Sequence, residues 1–301
     1  MFNPSQRGAG RKRIAVAGAT GRVGSALISK LSTEPVEIVA LTRTSDAERL
    51  PSGVSLATVD FDARSTLDNA LRGADRLFLA HGTSPRQVAN EIALIDAAVA
   101  AGVGHIVKLS VLGPPSRLHP FDWHAQIEAH LAACDVGFTV LRPSSFVDIL
   151  ARAGAPVAND TWGGAAGDGL VNLIDTRDVA DSAFAVLLDV AHVTSQRAYH
   201  LTGPNAVSMP EIANEMSRLL GRVVTYQHRS PAEQREKLMA SGLNEFVADL
   251  LLGLDRLFYE SVLAETTSTV RELTGHAPRP VTDWLSDNIS VFQAEAMHHR
   301  V

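Results

Sequence analysis

Cysteine, long apolar runs and an excess of positive charge are all missing from this chain, and each absence closes off a class of protein. The 301 residues hold a single cysteine, Cys134, so no internal disulfide can form and a cytoplasmic localisation is expected. Cys134 falls in a helical pattern ahead of a strand, where it reads as a small hydrophobe rather than a reactive thiol. No run of about 18 apolar residues occurs, so no membrane span is expected. Residues 1–12 carry most of a basic cluster, Arg7 to Arg13, but no long apolar segment of a signal peptide, and read as a flexible leader. The net charge of −6 disfavours a nucleic-acid partner. No Cys/His set has zinc spacing and the His298-His299 pair has no carboxylate pattern around it, so no metal is expected. Ser144-Ser145 lacks the flanking glycines of a nucleophile elbow. Asp175 and Asp178 read as a helix cap and an ion-pair partner of Arg142 or Arg177, not as a hydrolase pair.

What is present begins with the run Arg13-Ile-Ala-Val-Ala-Gly18-Ala-Thr20-Gly21-Arg22-Val23-Gly24-Ser-Ala-Leu-Ile-Ser-Lys-Leu31. It is written as a buried strand, a glycine turn and a helix with an Ala26-Leu27-Leu31 apolar face. Gly18 permits a sharp turn, Gly21 lets backbone N–H groups approach a pyrophosphate, and Gly24 lets the helix lie close to the strand. The helix N-terminus offers unpaired N–H groups and a positive dipole end to the anion.

Short apolar runs alternate with helix-period segments through the first half, as a parallel sheet with crossover helices requires. Strands are expected at 13–18, 37–42, 55–59, 76–80, 105–110, 138–142 and 199–202. Helices are expected at 19–31, 63–71, 84–101, 122–133, 175–189 and 209–220, the last capped by Ser208 with Glu211 at its third position. Residues 151–169 are rich in Gly and Ala with Trp162 as the large anchor, and residues 231–292 read as mostly helical. The fold class is therefore α/β: a Rossmann-type doubly wound parallel sheet with a smaller, mostly helical C-terminal lobe. Residues 13–150 form the dinucleotide domain, with sheet contributions from about 170–204, and residues 151–301 form the substrate or partner lobe.

The second strand ends Ala40-Leu41-Thr42-Arg43-Thr44, with no acid to take the 2′-hydroxyl of NAD. Arg43 instead offers a planar donor fork to a 2′-phosphate, with hydroxyls from Thr42, Thr44 and Ser45, so NADP (NADPH) is the expected cofactor. Asp60 and Phe61 end the third strand near the expected adenine. Asp62 is either an acceptor there or the cap of the helix at Ala63.

The glycine run with Arg43 resembles the atypical short-chain dehydrogenases, specifically their NmrA-like branch with its quinone oxidoreductases. The segments His105-Ile-Val-Lys108-Leu-Ser110, Ile127-Glu128 and Gly137-Phe-Thr-Val-Leu-Arg142-Pro143 are similar to that family's fifth strand, helix and sixth strand. Asn172 to Ala180 and Glu211 to Arg222 are similar to second-lobe pieces, so the likeness spans nearly all of the chain after the leader. The family includes both reductases and non-catalytic dinucleotide sensors, so the resemblance implies a fold more firmly than a reaction.

A typical short-chain reductase uses a Tyr and a Lys four residues later. Here Tyr199, Tyr226 and Tyr259 are followed at that distance by Gly203, Ser230 and Leu263. His124 is the candidate acid, at the position where quinone-reductase-like members look to carry a histidine, and its imidazole is expected to titrate near neutrality. Phe121, Trp123 and Trp162 are expected to line an aromatic substrate pocket. His81, Gly82 and Thr83 follow strand four, Ser110 ends strand five on the same face as Lys108, and Pro143 and Phe146 follow strand six, all as cofactor neighbours. His81 is a candidate second acid, and Lys108 a weaker ligand candidate that could equally form an ion pair. The expected activity is NADP-dependent hydride transfer to a flat quinone-like or polycyclic aromatic small molecule. Two alternatives stay open: a non-catalytic NADP-binding redox sensor with a regulatory protein partner, and a tailoring enzyme of aromatic polyketide metabolism. A homodimer is a further open expectation.

Overall fold

The computed structural model describes residues 11–43, 50–114, 120–193 and 195–293. In chain order the first half runs β1 (Arg13–Ala17), α1 (Arg22–Leu31), β2 (Glu37–Thr42), β3 (Ser55–Thr58), α2 (Arg64–Leu71), β4 (Arg76–Leu79), α3 (Gln87–Ala100), β5 (His105–Leu109), α4 (Phe121–Ala132) and β6 (Gly137–Pro143). The second half runs β7 (Ser145–Phe146), α5 (Gly154–Ala158), β8 (Gly163–Gly164), β9 (Leu170–Ile174), α6 (Thr176–Leu188), β10 (Gln196–Leu201), β11 (Ala206–Ser208), α7 (Met209–Leu220), β12 (Gln227–His228), α8 (Pro231–Ala240), α9 (Glu245–Tyr259), α10 (Thr269–Thr274) and α11 (Val281–Asp287).

Seven strands form one sheet in the order β10-β6-β5-β4-β1-β2-β3. The pairings of β1 with β2 and β4, and of β5 with β4 and β6, are parallel. The strands are written as unbroken apolar runs because helices cover both faces of such a sheet. Ile14, Ala15, Val16, Leu77, Phe78, Leu79, Ile106 and Val107 are all fully buried. Burying each of the larger ones contributes about 1.5–3 kcal/mol. Strand order reverses at β1, whose neighbours are β2 and β4. At such a switch point a crevice opens beyond the carboxyl ends of the strands.

The chain divides into two compact units. The first comprises Met1–Ser110, Trp123–Arg142 and Val179–Tyr199; the second comprises Val111–Asp122, Pro143–Asp178 and His200–Val301. The second unit holds a three-stranded sheet, β11-β9-β7, a two-stranded pair, β12-β8, and the helices from α7 onward.

Of the 170–204 stretch, only β10 joins the large sheet, while β9 pairs with β7 and β11. The C-terminal part is mostly helical, as its pattern predicts, with the short strands β8, β11 and β12 among its helices. Strands of two or three residues are too short to show any alternation. The capping of α7 agrees with the sequence reading: Glu211 N–H donates to Ser208 Oγ at 3.3 Å, and Ser208 N–H donates to Glu211 Oε2 at 2.7 Å.

Candidate cofactor and active site

The glycine turn is built as a cradle. Gly18 has φ +73°, and a Cβ there would sit 2.8 Å from the Ala80 carbonyl oxygen, so β1 and β4 can approach only through a glycine. A Cβ on Gly24 would lie 2.2 Å from the Gly18 oxygen. Gly21 N–H closes the turn on the Gly18 oxygen at 2.9 Å. Gly18, Thr20, Gly21 and Arg22 are exposed while Val23 and Gly24 are buried. Gly21 is the N-cap residue of α1, which has no side-chain cap and no acid in its first turn. Uncapped N–H groups at the N-terminus of a helix fit the pyrophosphate of a dinucleotide.

The loops after the parallel strands share the carboxyl edge. Arg43 is exposed one residue beyond β2, and Thr44 and Ser45 lie outside the described residues. Asp60 uses one carboxylate oxygen to accept the Asp62 N–H at 2.9 Å. The cap role of Asp62 is corrected: α2 has no side-chain cap. The Asp62 carboxylate instead takes the Arg86 guanidinium, whose hydrogen bonds and charge hold it below the usual carboxylate range. Phe61 meets His81 edge-on at 5.7 Å. The second-acid role of His81 is corrected as well. Its Nδ1–H donates to the Gly82 carbonyl at 2.6 Å and its Nε2 takes an Asn90 N–H at 3.0 Å, so no ring proton is spare. Gly82 and Thr83 are exposed, and nothing lies within 4 Å of a Cβ built on Gly82.

Behind this edge lies a buried polar chain. The Lys108 ammonium and the Glu91 carboxylate are each 0% exposed and lie 2.7 Å apart. Lys108 Nζ also donates to the Leu109 carbonyl at 2.5 Å and reaches His124 Nδ1 at 3.0 Å. Gln87 Nε2 donates to Glu91 Oε1 at 2.9 Å and lies 3.3 Å from His124 Nε2. With the ammonium on the Nδ1 lone pair, a neutral imidazole carries its proton on Nε2. That N–H then faces a second donor, while Gln87 Oε1 is buried without a partner. The expectation that His124 titrates near neutrality is overturned. Burial, with the Lys108 charge adding to it, pushes its pKa down to about 2. His124 is therefore a neutral hydrogen-bonding group.

Ser110 is buried and its hydroxyl donates to Glu128, which also binds Arg142 through Nη2 at 2.5 Å. Its hydroxyl proton is thus committed. Arg142 pairs with Glu128 rather than with Asp175, whose partner is Arg177 at 2.6 Å; Asp178 pairs with Arg279. Trp123 is half-buried in the first turn of α4. Asp96, His130 and Cys134 bring ligand-type atoms within 4.8 Å of one another, a grouping their sequence spacing conceals. There His130 Nε2 lies 2.7 Å from Asp96, and burial pushes the Cys134 thiol up, away from the thiolate a metal needs.

In the second unit, Pro143 is buried, and Phe146 sits in β7 opposite Ile174. Phe121 and Trp162 are 4% and 7% exposed members of one apolar cluster. Phe121 packs so closely on Gly113 that a Cβ there would lie 2.0 Å from its ring. Trp162 meets Tyr226 edge-on at 5.1 Å and lines a cavity of about 440 Å³.

The sequence matches the NmrA-like family over residues 10–265. The chain belongs to the NmrA-like family. It is 31% identical over 285 residues to quinone oxidoreductase 2 of Escherichia coli K12, covering 92% of this chain and 99% of that one. It is 33% identical over 290 residues to the (4-alkanoyl-5-oxo-2,5-dihydrofuran-3-yl)methyl phosphate reductase of Streptomyces griseus, covering 94% and 100%. A crystal structure of the Escherichia coli NADPH-dependent quinone oxidoreductase complexed with NADPH superposes with a TM-score of 0.85 at 28% identity, covering 92% of this chain and 99% of that one.

For this NmrA-like chain, Gln87 and Glu91 are the site residues that reading the sequence missed. Their signal was present: Gln87, Asn90 and Glu91 occupy one buried face of α3 at helical spacing, and polar groups so placed must find partners.

Proposed function

We propose that this protein is an NADPH-dependent reductase that passes a hydride to a flat, quinone-like or polycyclic aromatic acceptor. The observation that carries this reading is the uncapped α1 N-terminus behind a turn that tolerates no side chain at Gly18 or Gly24. Full-length likeness to two proteins named as an oxidoreductase and a reductase supports it. Bound there, NADPH supplies the hydride. The turn holds the pyrophosphate, and the Arg43 fork matches a 2′-phosphate. Lys108 keeps the His124 proton on Nε2, where it can donate to a substrate oxygen without leaving the imidazole. The proton that completes the reduced acceptor comes from water.

The test is to mix the purified protein with NADPH and a panel of small quinones and follow the nicotinamide absorbance. Turnover that falls in His124→Ala while NADPH affinity holds supports the proposal. Tight NADPH binding with no oxidation across the panel refutes it and leaves the sensor reading in its place.

A further inference from the structure

The cavity of about 440 Å³ in the second unit has an uneven chemistry that the hydride reading does not use. Most of its wall is apolar, with Ile149, Leu150, Met209 and Phe258 beside the crossed rings of Trp162 and Tyr226. Three cations line it, Arg152, Arg229 and Lys237, against one acid, Asp255. None of the three forms an ion pair with a carboxylate among the described residues. Arg229 is fixed by neutral acceptors alone, donating to the Gly163 carbonyl at 3.1 Å, the Thr161 carbonyl at 2.5 Å, Gln234 Oε1 at 3.0 Å and Gln227 Oε1 at 3.5 Å. Asp255 is turned to the backbone, accepting the Ala165 N–H at 3.0 Å. The Tyr226 oxygen accepts the Ala166 N–H at 3.3 Å, which leaves its own O–H able to donate. The wall is closely packed at this point, since a Cβ on Gly163 would lie 2.3 Å from the Gln227 oxygen and one on Gly164 2.4 Å from the Tyr226 hydroxyl.

We infer that this cavity binds an amphiphile: a flat apolar body carrying one anionic group, a phosphate, sulfate or carboxylate. A space of this size lies within the range of small-molecule sites, which pair an apolar wall with a few placed polar groups. Trp162 and Tyr226 give the body an aromatic face, and the Tyr226 O–H gives an oxygen on it a donor. Arg152 and Lys237, exposed at the wall, supply charge that no carboxylate among the described residues answers. This inference does not rest on the reductase reading, because it is a statement about affinity and needs no turnover.

The test is calorimetric titration of the full chain, saturated with NADPH so that its dinucleotide site is closed to phosphates, with 2-naphthyl phosphate and with 2-naphthol. The phosphate is expected to bind at least about tenfold tighter, with an advantage that shrinks as salt is added. In the Arg152→Ala/Lys237→Ala variant the advantage is expected to vanish while 2-naphthol and NADPH bind as before. Equal affinity for the two naphthyl probes overturns the inference. So does an advantage that survives the double substitution, since the anion is then held elsewhere.

Discussion

Replacing His124 by asparagine should remove a defined part of the acid sensitivity of the fold. The ring is held at a pKa of about 2 by burial and by the Lys108 charge, against 6.5 for the free side chain. His105, fully buried and bonded to Thr139 Oγ1 at 3.0 Å, is held at about 4, by burial first and then by the Arg76 and His192 charges. Both values are lowered on folding, so between them and 6.5 the unfolded chain binds protons that the folded chain refuses. The stability involved is complete above pH 6.5 and is lost as the pH falls toward the folded values. Each imidazole accounts for a loss of about 2 kcal/mol between pH 7 and pH 5, at 1.36 kcal/mol per pH unit.

Asparagine keeps the polar character of the ring and does not titrate. Urea unfolding of the wild type, His124→Asn and His105→Asn at pH 7 and pH 5 gives the pH-dependent loss for each, whatever the absolute cost of the substitution. Each variant should lose about 2 kcal/mol less over that interval than the wild type. If His124→Asn loses as much as the wild type, the imidazole is charged or solvated in the folded chain. The account of the buried chain from Gln87 to His124 then fails. A proton NMR titration gives the same answer directly: the His124 ring signals should not move between pH 8 and pH 5.

Three further outcomes follow from the same geometry. Glu91→Gln and Lys108→Met should each cost about 3–5 kcal/mol in urea, because each strands a charge at a site with no exposure; the double variant should lose less than their sum, and strict additivity would show the pair is not coupled. Gly24→Ala should abolish measurable NADPH binding, because its methyl would meet the Gly18 carbonyl at 2.2 Å, whereas Gly104→Ala, with 3.6 Å to its nearest neighbour, should bind as the wild type does. Arg43→Ala should weaken NADPH relative to NADH by about 1.5–3 kcal/mol, the scale of a charged hydrogen bond, and equal losses for the two would remove Arg43 from the 2′-phosphate.

Much of the first unit was legible because its signals are local. An unbroken apolar strand, a glycine turn and an amphipathic helix fall within residues 13–31, and the observed β1 and α1 lie inside the expected bounds. The Ser208–Glu211 capping box was legible for the same reason, since both partners lie within one turn. The same pattern at Ser230 and Glu233 opens α8 and was available to the same reading. The strands β8 and β12 were not legible. Each has two residues, and their pairing of Gly163 with Gln227 joins segments whose nearness no local pattern encodes. The His124 environment failed for a different reason. Its titration was taken from the residue type, whereas the value is set by Lys108 and the enclosing side chains, which arrive from β5 and α3.

That correction bears on the acceptor the proposed reductase can serve. His124 stays neutral, His81 has committed its ring proton to Gly82 and Ser110 has committed its hydroxyl proton to Glu128. Each of these groups can hydrogen-bond an oxygen or already bonds a neighbour, and none is poised to surrender a proton. Hydride addition to a simple ketone leaves an alkoxide as basic as hydroxide, with a conjugate-acid pKa near that of water, about 15.7. Hydride addition to a quinone leaves a phenolate, with a pKa near that of tyrosine, about 10. The difference of roughly 6 units corresponds to about 8 kcal/mol at 1.36 kcal/mol per unit, which a site with no acid among its described residues must find elsewhere for a ketone and need not find for a quinone. A fixed Nε2–H contributes a few kcal/mol as an oxyanion donor, enough to assist the phenolate and too little to rescue the alkoxide. Burial of His124, with the Lys108 charge adding to it, thus favours a quinone over a simple ketone as the acceptor of the proposed reductase.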